Sequence, residues 1–192
     1  MEIVLQVWGG LFYLLAKVFL AIAEGGKNPK WKTFGWSIYL LGIPPWAIIL
    51  ALNHDWIAMA IEIGGAPAII LGIIIAIKQL KKIPYAIDQT IKIFVWLLIS
   101  IGVMYSMYSF KGITHLSQIL EFGVTIGFLF GTYLLAKNNR MGWLYFLLMN
   151  ISMGTLMAIQ REWIFTFLQI ISVCFVIYGF AKSKKNIIIN LI

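Results

Sequence analysis

The chain has 192 residues, 61% of them hydrophobic and 11% charged, and its mean hydropathy is +0.92. A soluble domain carries roughly 25% charged and about 45–50% apolar residues, so this composition excludes a water-facing surface and implies an integral membrane protein. Five prolines, 17 glycines without a three-residue period and the lone Cys174 exclude disorder, a collagen-like fibre and a disulfide scaffold.

A bilayer core about 30 Å thick takes roughly 20 apolar helical residues, and the sequence predicts seven such helices, at 3–23, 33–53, 56–77, 92–110, 115–136, 141–159 and 163–181. The first has neither a basic leader nor a small-residue cleavage site before it, which predicts a retained helix rather than a signal peptide. It carries Lys17. The second is free of charge but holds Pro44 and Pro45, and the third holds Glu62 and Pro67; the missing backbone donors predict kinks at membrane depth. Gly9-Gly10, Gly64-Gly65-Ala66 and Gly127 to Gly131 suit close helix packing. Residues 182–192 are expected to form a cytoplasmic tail. Strands are excluded, because the runs are apolar all round instead of alternating.

Net charge is +8. It predicts topology rather than a nucleic-acid partner, because seven spans put eleven basic residues on one side, among them Lys30, Lys32, Lys78, Lys137, Arg140 and Lys182. The other side holds Lys111 and Arg161. The excess marks the cytoplasmic face, with the N-terminus outside and the C-terminus inside. The absence of a transit peptide and the many Ile, Lys and Asn residues point to a bacterial inner membrane.

Sliding the sequence on itself by 107 positions brings Gly35-Trp36 onto Gly142-Trp143, Asp55-Trp56 onto Glu162-Trp163 and Gly72 onto Gly179 without a gap. The expected fold is therefore all-α and transmembrane: two parallel three-helix repeats, 3–77 and 115–181, joined by a connector helix at 92–110. Such repeats commonly carry a solute near the midplane between the halves, which points to a transporter.

In the second half, Tyr133-Leu-Leu-Ala-Lys137, Trp143-Leu-Tyr-Phe146-Leu-Leu-Met-Asn150 and the segment from Trp163 through Gln169 to Tyr178-Gly179 resemble the PnuC family of vitamin transporters. Trp143 and Asn150 match its W-x-x-W-x-x-x-N pattern, with Phe146 in place of the second tryptophan. The resemblance implies the three-one-three relative of the SWEET sugar-carrier fold. It further implies facilitated uptake of nicotinamide riboside with cytoplasmic phosphorylation trapping the vitamin, no cofactor, and a homo-oligomer, specifically a trimer. Thiamine, riboflavin and sugar are the alternative solutes. An enzyme is not expected, since no nucleophile with a base and no metal-ligand cluster stands out; His54 and His115 both fall at the outer side.

Trp143, Phe146 and Asn150 share one helical face, and an aromatic face with one amide suits a flat ring bearing a carboxamide. Asn150 has two readings, a solute contact or an interhelical hydrogen bond. Trp36 and Tyr39 add aromatic surface in the first repeat, Tyr39 aligning with Phe146 as an opposing ring. Glu62 and Gln169 occupy equivalent positions, each seven residues past a loop acid and roughly 10 Å into the membrane. They are expected on opposite walls of one cavity, unless Glu62 pairs with Lys17 or takes part in proton coupling. Lys17 has a further option, reaching the cytoplasmic headgroups along its own stem.

Overall fold

The computed structural model describes residues 2–24, 29–52, 56–80, 83–109 and 111–189, and every regular element among them is an α-helix. In chain order these are α1 (Glu2–Ala23), α2 (Pro29–Leu52), α3 (Trp56–Gly64), α4 (Ala66–Lys78), α5 (Tyr85–Ser109), α6 (Leu116–Ala136), α7 (Met141–Ile159) and α8 (Trp163–Ile189). Among the described residues, six stretches are long and apolar enough to cross a membrane: Val4–Ala23, Ala58–Lys78, Tyr85–Ser109, Leu116–Ala136, Met141–Ile159 and Trp163–Ser183. The seventh expected span, α2, has the length at 24 residues.

The prolines act differently in the two spans. Helix α2 runs unbroken through Pro44 and Pro45; the third span, where Pro67 lies, is interrupted, α3 ending at Gly64 and α4 starting at Ala66. The Gly65 N–H donates back to the carbonyls of Ile61 and Glu62 at 3.2 and 3.3 Å. Pro67 then sits in the first turn of α4, where its missing N–H costs no helical bond. A side chain at Gly65 would lie 2.4 Å from the Phe128 ring, so the turn also permits close approach of α6. Two boundaries move as well. The fourth span starts at Tyr85 rather than 92, since the charge of Asp88 is met by Tyr133 and Lys137. Helix α8 continues through Ile189, into the stretch expected to be a tail.

The helices close into a ring: α1 packs on α2, α2 on α4, α4 on α6, α6 on α7, α7 on α8 and α8 on α1. Helix α5 lies outside it, against α6 and α3. It buries one stripe, Ile91, Val95, Ile99 and Gly102, and turns Ile93, Trp96, Leu97 and Ile101 outward. Ile70, Ile74 and Ile77 on α4 and Leu144, Leu148 and Ile151 on α7 are likewise exposed. An apolar perimeter of this extent belongs in lipid.

Polar contacts tie the basic residues together at one end of the ring. Lys32 donates to the Asn138 side chain and pairs with Glu24 at 3.8 Å. Lys182 donates to the Ile22 carbonyl at 3.1 Å, and Arg140 lies over the Phe180 ring at 4.4 Å. Asp88 takes a bond of 2.7 Å from the Tyr133 hydroxyl and one of 2.8 Å from Lys137. The opposite end is organised by Gln118 on α6: its Oε1 accepts from the backbone of Thr114 and His115, and its Nε2 donates to Ser106 and to the Gly112 carbonyl. The loop charges Lys27, His54, Asp55, Lys81 and Lys82 lie outside the described residues.

Candidate solute-binding site

The centre of the ring is filled from α2 and α7. Trp36, Tyr39, Trp143 and Phe146 are all fully buried. Each tryptophan rests on a glycine of a later helix, Trp36 of α2 on α4 and Trp143 of α7 on α8: a Cβ on Gly72 would lie 2.6 Å from the Trp36 ring, and one on Gly179 would lie 2.7 Å from that of Trp143. Only a residue without a side chain leaves room for the indole. Tyr39 bridges the halves, meeting Phe146 edge-on at 5.9 Å and Phe128 at 6.2 Å. The expected opposing ring is therefore present, but Tyr39 and Phe146 touch each other and leave no slot between them for a flat solute. Trp36, Tyr39, Trp143 and Phe146 are not among the residues that line the cavity beside them; Tyr39 meets that lining through the Tyr13 ring at 4.7 Å.

Asn150 does connect to the site. One turn beyond Phe146, it donates to that residue's carbonyl through Nδ2 and accepts from Lys17 through Oδ1 at 2.6 Å. Lys17 and Asn150 are 2% and 1% exposed. Both earlier options for Lys17 thus give way: it neither pairs with Glu62 nor reaches the headgroups, because its stem runs inward from α1 towards α7. Among the described residues no carboxylate lies within ion-pair distance of it. The charge of Lys17 is shared with one amide.

Beside that bond, α1, α2, α7 and α8 enclose a cavity with about 360 Å³ of empty space, its open mouth included. The whole of it has room for about one water. Tyr13, Lys17, Trp46, Gln169 and Ser172 supply the polar groups on its wall. The Tyr13 hydroxyl, the Trp46 Nε1, the Gln169 Oε1 and the Ser172 Oγ are buried there without a hydrogen-bond partner. Buried polar groups in folded proteins are nearly always paired, so four orphans on one small surface mark a place that expects a polar guest. Leu14, Phe165, Leu168 and Met153 complete the wall and give it an apolar side.

The helices fix this arrangement. Tyr13 and Lys17 stand four apart on α1, and Gln169 and Ser172 stand three apart on α8, so each pair shares a face. Gly10 lets α8 approach, since a Cβ there would already be 3.3 Å from Leu168. Gln169 lines the cavity, but not opposite Glu62 as expected. Glu62 does not line this cavity; it sits on α3, two residues before the break, with Oε1 buried and unpartnered. Tyr13, Trp46 and Ser172 were not expected at all. The available signal was the i, i+4 pairing of Tyr13 with the odd charge Lys17, and the i, i+3 pairing of Ser172 with Gln169.

No group of His, Cys, Asp and Glu among the described residues has the geometry of a metal site. No family model matches the chain, nor does any curated protein or solved structure.

Proposed function

We propose that the chain is a membrane carrier for a small ring-bearing solute, working as a facilitator in the manner of the PnuC-type vitamin transporters it resembles. The observation that carries the reading is the duplicated packing around one lined cavity. The contacts of α1 with α2 and of α2 with α4 are matched by those of α6 with α7 and of α7 with α8. The seams between the halves also correspond, α1 against α8 and α6 against α4. Trp36 on Gly72 and Trp143 on Gly179 are the same joint made twice. This supports two parallel three-helix repeats with α5 as the connector, related by an axis along the membrane normal.

Rocking one half against the other would open the seam between α1 and α8, where the cavity lies. The present state is compact: a solute larger than water needs that seam to part. The joined basic end, with Lys32, Lys137, Arg140 and Lys182, is the cytoplasmic face in this reading, so the N-terminus is outside and the membrane is a bacterial inner membrane.

Reconstitution in liposomes tests the proposal. Uptake of nicotinamide riboside, thiamine, riboflavin, glucose, nicotinate and benzoate is measured without a nucleotide or an ion gradient. A carrier accumulates at least one of them to the external concentration and stops there, and Asn150→Ala, which frees the Lys17 ammonium into the cavity, slows it. Liposomes that stay empty for every solute tried, with protein inserted and folded, would remove the carrier reading.

A further inference from the structure

The charge on the cavity wall selects among solutes. Lys17 is the one charged residue that lines the cavity among the described residues, and its ammonium donates to the neutral Asn150. An ammonium buried without a counter-charge is costly. A solute that brings a negative charge removes that cost; a cationic solute adds to it.

The orphaned groups point the same way. The Tyr13 hydroxyl, the Trp46 indole N–H and the Ser172 hydroxyl are donors or donate as readily as they accept, and the indole N–H donates only. With Lys17 they put four donor-bearing side chains around one small volume, more than a neutral amide or a cation can use. A carboxylate has two oxygens with about four acceptor sites between them and takes charge-assisted bonds from such donors. Gln169 presents an unpartnered Oε1, and its amide can turn to offer nitrogen instead. The aromatic and aliphatic side, Leu14, Phe165 and Leu168, covers the rest of such a molecule.

The geometry points to a solute that is a small organic carboxylate with an apolar or aromatic body, its carboxylate held by Lys17, Tyr13, Trp46 and Ser172. This substrate class rests on the carrier reading, because an acid larger than water enters only when the seam between α1 and α8 parts; the side chains that line the cavity supply its polar contacts. It departs from the cationic vitamin that the resemblance implies.

Binding to the purified protein by calorimetry tests it, with two matched pairs as probes, nicotinate against nicotinamide and benzoate against benzamide, and thiamine as a cation. The acids are expected to bind at least about tenfold more tightly than their amides, the size of a charge-assisted bond to a buried group. Lys17→Met should erase that preference. Ser172→Ala, a small change that the helix tolerates, should weaken the acids several-fold with unfolding temperature unchanged, which keeps the test informative if Lys17→Met does not fold. Equal binding of acid and amide, preference for thiamine, or no binding of either acid overturns the carboxylate site. Acid binding without uptake of the acid into liposomes overturns the carrier reading and leaves the site; uptake of a vitamin with no acid binding does the reverse.

Discussion

A lysine and an asparagine 133 positions apart share one buried hydrogen bond, and this pair decides much of the site's chemistry. Each was conspicuous in the sequence as a polar group at mid-span, yet nothing in the spacing says that α1 and α7 aim them at each other; that depends on how the ring closes. The pairing is open to a double-mutant cycle. Asn150→Ala removes the partner of a buried ammonium, and thermal unfolding in detergent should register a loss of about 1.5–3 kcal/mol. Adding Lys17→Met should return most of it, because the charge that lost its partner is gone. Additive losses in the double variant would show the two side chains to be uncoupled. Glu62 behaves differently. Its buried Oε1 has no partner, so Glu62→Gln should leave the unfolding temperature unchanged or raise it; a clear drop would reveal a carboxylate contact that stabilises α3.

At the level of elements, the recurrence of the tryptophans and glycines at a fixed offset was legible but their contact was not, and the structure shows why the residue types recur: the indole occupies the volume a Cβ would need. Gly72→Ala and Gly179→Ala should therefore each cost about 1–3 kcal/mol through overpacking, with Trp36→Phe or Trp143→Phe recovering part of the loss in the matching background. An alanine tolerated at both positions would mean that the joint is loose. The helix break was less legible. Three prolines lay at membrane depth, and steric cost alone does not tell which of them ends a helix. Helix α2 absorbs Pro44 and Pro45 within a packed neighbourhood, whereas Pro67 follows two glycines and leaves the chain free to turn. Starts and ends moved for an electrostatic reason: Asp88, counted against the start of α5, is satisfied across the gap by α6.

For the whole molecule, hydropathy alone was enough to establish a helical membrane protein, because lipid leaves the backbone no other economical choice than helix or closed barrel. The closure of the ring was not legible, since apolar faces that meet a neighbour and apolar faces that meet lipid look alike in sequence. Charge does distinguish the two ends. Basic side chains cluster where α1 meets α2, where α6 meets α7 and at the end of α8, and they are cross-tied there, while the loop between α5 and α6 carries Lys111 alone. Retention of that basic end in the cytoplasm predicts a labelling pattern. In a Cys174→Ser background, a cysteine at Ile113, which is 58% exposed in the α5–α6 loop, should react with a membrane-impermeant maleimide in intact cells. A cysteine at the exposed Asn139 in the α6–α7 loop should react only after the membrane is permeabilised. The reverse pattern would invert the protein and place the lysines outside. Labelling of both sites in intact cells would mean that α6 does not cross, and with it would fall the correspondence between α6 and α1 on which the two-repeat carrier depends.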